Sequence, residues 1–305
     1  MNKKNLEKIR SIHKDIETFY FIKVLPKIYK RSLRKTYHFK EWYGVPMDYV
    51  RLIELPTAIF LMGKSKRESQ FLDISSPKLM SLFLALNKFP NMVISDIDSY
   101  FVKDFKLYSK EFGFRTTIKT FDAKKIPYQD NSFDCVFSVS VLEHIPNGGD
   151  IRVAKEIRRI LKKDGTFVMT CPASNQYKEE WLVKKHFYWP SKRRQDGRFF
   201  FQRIYNEEKI INLSKKAGFE IDEILYVAEK PIKKMRLDEN GVYLNNYNYL
   251  EEFRLVKILN FLKSRLKFPL FPYFIYRYFS NKCHYLTKNP SDQNIRLAAI
   301  RFRKK

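Results

Sequence analysis

From residue 70 onward, short apolar runs alternate with longer stretches in which apolar positions recur every three to four residues. The first kind reads as buried strands and the second as amphipathic helices. This places strands at 70–74, 92–96, 116–121, 133–139, 166–171, 220–228 and 294–303, and helices at 77–88, 99–111, 150–162 and 206–217. The order β-α-β-α-β-β-α-β-α-β-β predicts an α/β protein built on a seven-stranded, mostly parallel sheet with helices on both faces. Gly165 after Lys162-Lys163-Asp164, and Gly218 after Lys215-Lys216-Ala217, carry the signal of a helix C-terminus: a basic last turn, then glycine.

The pattern divides the chain into a basic helical segment at 1–45, a core at 46–229 and a basic aromatic insertion at 230–292, with the last core strand at 293–305. A smaller insertion, 174–205, interrupts the core and contains HFYWPSKRRQDGRFFFQRIY. Insertions that a sheet does not need are expected to line a site or meet a partner. Within 251–279, Leu255, Ile258, Leu259, Leu262 and Leu266 share one helical face among basic residues, and a proline-broken aromatic stretch follows. Such a segment suits a membrane interface, and equally suits packing on its own domain or on a twin subunit.

Composition adds three constraints. A chain of 305 residues with 44% hydrophobic and 16% aromatic content can bury a large core. It contains no uninterrupted apolar stretch near the ~18 residues of a membrane span, and MNKKNLEKIR lacks the apolar centre of a signal peptide, so a cytoplasmic protein is expected. Cys135, Cys171 and Cys283 have neither disulfide nor metal spacing, and no metal site is expected. The net charge of +26 is concentrated in the flanks: residues 1–40 hold 12 basic and 3 acidic side chains, and 229–305 hold 17 and 6. Such flanks suit an anionic membrane surface, a phosphorylated acceptor or nucleic acid, or serve solubility alone.

In a parallel α/β sheet, ligands gather outside the carboxyl ends of the strands. Here those ends carry Asp73 and Ser75, then Asp96 in VISDID, then Asp122-Ala123, then Ser138, Ser140 and Glu143-His144 in FSVSVLEHIP. From about Phe71 to Glu229 the chain resembles the class I S-adenosylmethionine-dependent methyltransferases, and DAKKIPYQDNSFDCVFSVSVLEHI with EIRRILKKDGTFVMTCP carries the resemblance most specifically. The resemblance implies a Rossmann-like sheet and S-adenosyl-L-methionine as cofactor. It implies that Asp96 accepts the ribose hydroxyls, that Asp122 and Ala123 border the adenine, and that Asp73, Ser75 and Ser76 face the methionine part, with Ser138 and Ser140 nearby. The turn Ser75-Ser76-Pro77-Lys78 departs from the family's glycine-rich pattern. Because this cofactor has no phosphate, its demand on that turn is milder than a dinucleotide's, and Ser76 and Pro77 suit a helix start.

The sulfonium makes the methyl group electrophilic, so the protein mainly has to position an acceptor and exclude water. A hydroxyl acceptor calls for a base, and His144, then His186, are the candidates. Arg193, Arg194 and Arg198 are candidates for a phosphorylated or sugar acceptor. Tyr49, Arg51 and Glu54, upstream of the first strand, would form a lid over the cofactor, or simply pack. Cys171 invites a cysteine-nucleophile RNA mechanism, but the Pro-Cys partner motif of such enzymes is missing, as is the motif of base amino-group methylases, so nucleic acid is the weaker partner. The leading expectation is O-methylation of a glycan, lipid-linked intermediate or small metabolite. The alternatives are a methyltransferase-like scaffold or an RNA methylase, and the oligomeric state stays open.

Overall fold

The alternation of side chains along the strands builds two cores, one on each face of the sheet. In the first strand, Phe71–Ile74 (β1), all four residues are buried: Phe71 packs into one cluster, Leu72 and Ile74 into the other. That is the pattern of a strand covered on both faces, since successive side chains point to opposite sides. The computed structural model describes residues 3–28, 36, 47–63, 66, 68–87, 89, 91–183, 196–230 and 271–305.

The chain opens with helix α1 (Lys3–Phe19), which continues through a π turn at Tyr20–Val24 to Ile28. Helix α2 (Arg51–Met62) precedes β1, and the core then runs through α3 (Lys78–Asn87), β2 (Met92–Asp96), α4 (Ser99–Phe112), β3 (Thr117–Thr120) and β4 (Phe133–Val139). A 3-10 turn (Leu142–His144) leads to α5 (Gly149–Ile160) and β5 (Leu161–Pro172). There follow a hairpin, β6 (Lys178–Leu182) and β7 (Phe199–Ile204), then α6 (Glu207–Ala217), β8 (Glu220–Glu229), α7 (Phe271–Cys283), β9 (His284–Thr287) and β10 (Ile295–Arg303).

The sheet order is β3-β2-β1-β4-β5-β10-β8-β9. The first five strands are parallel, and β10 lies antiparallel between β5 and β8, pairing Ala298 with Cys171 and Tyr226. The α/β fold, the parallel sheet and its covering helices are as the pattern predicts. One core joins α1 to α4 with Phe71, Ile94 and Phe137; the other joins α5 and α6 with Leu72, Phe167 and Ile300.

Three details differ from the pattern. The 174–205 insertion contributes a two-stranded hairpin, β6–β7, outside the main sheet. The sheet has an eighth strand, β9, which comes from within the 230–292 insertion; HYLT is too short to stand out beside the preceding aromatic run. Gly165 does not end a helix. Helix α5 stops at Ile160, Asp164 takes the left-handed conformation (φ 62°), and a Cβ on Gly165 would meet the backbone oxygens of Lys162 at 2.8 Å and Asp134 at 3.2 Å. Gly218 behaves as expected: at φ 78° it closes α6, and the Phe219 amide donates back to the Ser214 carbonyl.

Candidate active site

Helix α2 reaches the carboxyl ends of β4 and β5 through Glu54. At the end of β1 the chain turns through Ser75 at φ 56°, a conformation that favours glycine, and the Ser75 amide stays tied to the Ser95 carbonyl of β2 at 2.9 Å. The left-handed turn is therefore kept without a glycine. Asp73 is fully buried and braces it: one carboxylate oxygen accepts the Ser76 amide at 3.0 Å and the other accepts the Ser81 hydroxyl of α3. Burial pushes the Asp73 carboxyl up to about 6, against the hydrogen bonds from Ser81 and Ser76.

Ser76 and Ser138, expected beside the cofactor, make hydrogen bonds within the scaffold. The Ser76 hydroxyl accepts the Val139 amide at 3.2 Å, and the fully buried Ser138 donates to the Ile74 carbonyl at 3.0 Å, so the two serines bolt β1 to β4. Pro77 brings no N–H donor to the first turn of α3, and its carbonyl accepts the amides of Met80 and Ser81.

Asp96 ends β2, where it accepts the Asp98 amide at 2.9 Å and the Ser75 hydroxyl. Burial raises its pKa, and Lys78 nearby acts the other way. Lys78 is itself mostly buried, its ammonium lying 5.4 Å and 5.1 Å from the ring centres of Tyr100 and Phe101. Asp122 follows β3 in an exposed turn, accepting the Lys124 amide at 2.9 Å and pairing with the Lys124 ammonium at 3.2 Å. Ala123 packs against the second core.

The β4 end carries a buried acidic cluster. Ser140, at φ 54°, donates to Glu54 at 2.5 Å; Thr170 of β5 donates to the same oxygen at 2.6 Å, and Arg51 holds the other oxygen. Glu143 is fully buried and neither of its oxygens makes a hydrogen bond. Burial pushes it up to about 8, with the Glu54 charge adding to the rise and Arg51 and Arg203 opposing it. His144 lies against the Phe201 carbonyl, Nδ1 to oxygen 2.9 Å, and its Nε2 is 3.8 Å from Glu143. A carbonyl only accepts, so Nδ1 carries the hydrogen and Nε2 is the basic nitrogen.

The 174–205 insertion straps this turn. Arg203 donates to the Ile145 carbonyl at 2.8 Å and sits 3.8 Å from Asp150, whose other partner is the Tyr205 hydroxyl at 2.8 Å. His186, Arg193 and Arg194 lie outside the described residues, and Arg198 pairs with Asp196 at 3.5 Å. Of the expected lid, Arg51 and Glu54 reach the site, but Tyr49 does not: its hydroxyl donates to Glu229 at 2.7 Å and its ring lies on His284. Thr170 and Arg203 escape a sequence reading because each looks like an ordinary strand residue. Cys171 is fully buried in the second core and its thiol pKa is raised by burial, the opposite of a poised nucleophile.

Residues 72–169, which hold these strand ends, match a family described as a methyltransferase domain. This segment is a methyltransferase domain of the class I fold. An uncharacterised protein of Methanocaldococcus jannaschii is 29% identical over 131 residues, 43% of this chain and 54% of that protein. A sterol 4-C-methyltransferase of Caenorhabditis elegans is 34% identical over 82 residues, 27% of this chain and 19% of that enzyme. The chain thus matches about half the length of the first relative and about a fifth of the second. In three dimensions, a proposed sarcosine dimethylglycine methyltransferase of Galdieria sulphuraria superposes with a TM-score of 0.50 over 96% of this chain and 98% of its own, at 16% identity, a likeness of fold.

The methyltransferase domain suits S-adenosylmethionine on two observations. Its β1 turn keeps the left-handed geometry at Ser75, and Glu143 offers a buried carboxylate without hydrogen-bond partners, which a cationic ligand would satisfy.

Proposed function

We propose that the protein is an S-adenosylmethionine-dependent methyltransferase acting on an oxygen of a glycan, a lipid-linked intermediate or another small metabolite. The reading rests on the ordered series Asp73, Asp96, Asp122 and Glu143 at successive strand ends of the methyltransferase domain. Asp96 binds the ribose hydroxyls with its remaining acceptor capacity, and Asp122 with Ala123 borders the adenine. The Ser75 turn, braced by Asp73, faces the methionine part together with Ser140. The bound cofactor supplies an electrophilic methyl group on a cationic sulfur. Glu143 offsets cationic charge in this enclosed end. His144 Nε2 takes the proton of an acceptor hydroxyl, its ring orientation fixed by the Phe201 carbonyl. The strapped hairpin excludes water from the acceptor side.

A second reading is a methyltransferase-like binding protein without turnover; Pro77 favours it, because it removes an amide donor from the turn. The basic segments 1–40 and 251–279 suit docking on the inner face of an anionic membrane, and only 271–279 of the second lies among the described residues. No helix among the described residues is long and apolar enough to cross a membrane.

Calorimetry with S-adenosylmethionine and its demethylated product tests the proposal. Binding is expected, and Asp96→Ala is expected to weaken it by about 2 to 4 kcal/mol while the variant stays folded. Unchanged affinity in Asp96→Ala removes the ribose assignment. No heat at millimolar ligand removes the enzyme reading, and binding without methyl transfer to any hydroxyl acceptor favours the scaffold.

A further inference from the structure

A cleft of about 330 Å³ opens between α1 and α7, lined by Arg10, His13, Lys14, Arg277 and Asn281. We infer that this cleft is a binding site for a phosphate group carried on a larger amphipathic molecule.

Helical spacing assembles the donors. Arg10, His13 and Lys14 stand at i, i+3 and i+4 of α1, and Arg277 and Asn281 at i and i+4 of α7, so each helix turns one polar stripe to the cleft. Glu17 is the neighbouring carboxylate, and it is already engaged: it accepts Arg277 Nε at 2.9 Å and the Tyr273 hydroxyl at 2.7 Å. Glu17 therefore orients the Arg277 guanidinium rather than filling the cleft. With Arg277 paired to Glu17, the Arg10 guanidinium and the Lys14 ammonium leave the cleft with net positive charge, which an anion would offset.

His13 supplies an independent pointer. It is 93% buried, it lines the cleft, and its Nε2 has no hydrogen-bond partner. An orphaned buried nitrogen costs about 1 to 3 kcal/mol, which a ligand oxygen would recover. Burial lowers the pKa of the imidazole, with the Glu17 charge opposing and the Arg277 charge aiding, and in the tautomer with its hydrogen on Nε2 the ring can donate to a phosphate oxygen.

The rim explains why the phosphate should be esterified. Phe274 and Tyr278 continue the Arg277–Asn281 stripe and are 42% and 59% exposed. Apolar side chains left in water beside a cationic cleft suit an organic portion such as an acyl or prenyl group. The same chemistry is offered by a membrane headgroup and by a soluble phosphate ester. The site stands whether or not the strand-end site transfers methyl groups.

The test follows the His13 imidazole by NMR in the full chain, with His13→Gln to assign its resonances. Titrants are sodium phosphate, glycerol 3-phosphate, and vesicles of neutral phosphatidylcholine with or without phosphatidic acid, at fixed ionic strength. Saturable movement of the His13 signals with phosphate or its ester is expected, weakened at least ~10-fold in Arg10→Gln/Lys14→Gln at unchanged melting temperature. Co-sedimentation with phosphatidic acid vesicles, reversed by free phosphate, assigns the headgroup as source. Binding of glycerol 3-phosphate without vesicle binding assigns a soluble ester. No saturable response to any of the probes, or equal response in the double variant, overturns the inference.

Discussion

Glu143 takes two carboxylate oxygens out of water and gives them no hydrogen bond. Its pKa of about 8 lies above the unfolded value of 4.5, so the sign is that of a destabilising charge. The native state holds the proton more tightly, and the contribution of Glu143 is fully favourable below about pH 4.5 and lost as pH rises through about 8. Glu143→Gln, which keeps the shape and removes the titration, is expected to equal the parent near pH 5 and to exceed it at pH 9 by on the order of 2 to 4 kcal/mol, measured by urea unfolding at both pH values. The same variant should bind S-adenosylmethionine more weakly if Glu143 offsets its charge. A parent curve that is flat across this range would mean that the carboxylate finds water or a partner. Cys171 gives the converse case of a group that looks reactive in sequence and is inert in place. Cys171→Ser is expected to keep methyl transfer, with stability lowered by about 1 to 3 kcal/mol for a hydroxyl buried in an apolar cluster. Loss of activity in the folded variant would restore a nucleophilic role.

Among the elements, most of the sheet and its helices were legible because their apolar periods are unambiguous, and the central strands β1, β4 and β5 are buried on both faces over most of their length. The acids at the strand ends were legible for the same reason: Asp73 and Asp96 interrupt apolar runs. What sequence could not show was direction. Ser76 and Ser138 lie beside the turn yet point into the seam between β1 and β4, and Tyr49 sits two residues from Arg51 yet serves Glu229. Glycine was also ambiguous. Gly165 follows the basic run Lys162-Lys163, as a cap would, but that run belongs to β5 and the role of the glycine is the close approach of two backbone carbonyls. Gly165→Ala is therefore expected to cost about 2 to 4 kcal/mol, because backbone rather than a flexible side chain must yield. A cap glycine such as Gly218 should cost nearer ~1 kcal/mol on the same substitution. Chemical unfolding of the two alanine variants side by side separates the roles, and equal losses would return Gly165 to the capping class.

At the scale of the whole molecule, the last strand in sequence lies within the sheet rather than at its edge. β10 pairs with β5 on one side and β8 on the other, and Leu297, Ala298, Ala299, Ile300 and Phe302 are buried between the two helix layers. The parallel half, β3-β2-β1-β4-β5, can pair before β10 arrives, but until then β5 presents an open edge and both cores lack a wall. Folding must therefore wait for the longest-range contacts, which also join β10 to the α2 helix through the Arg301 bond to the Leu61 carbonyl at 3.1 Å. Removing residues 294–305 is expected to abolish cooperative unfolding and leave an aggregation-prone chain, although the matched methyltransferase segment 72–169 is intact. Ile300→Ala, with β10 retained, should cost about 2 to 5 kcal/mol and remain two-state. Circular dichroism melts of both, with the parent as reference, decide the matter: a cooperative melt in the truncated chain would show that the parallel half is a folding unit by itself.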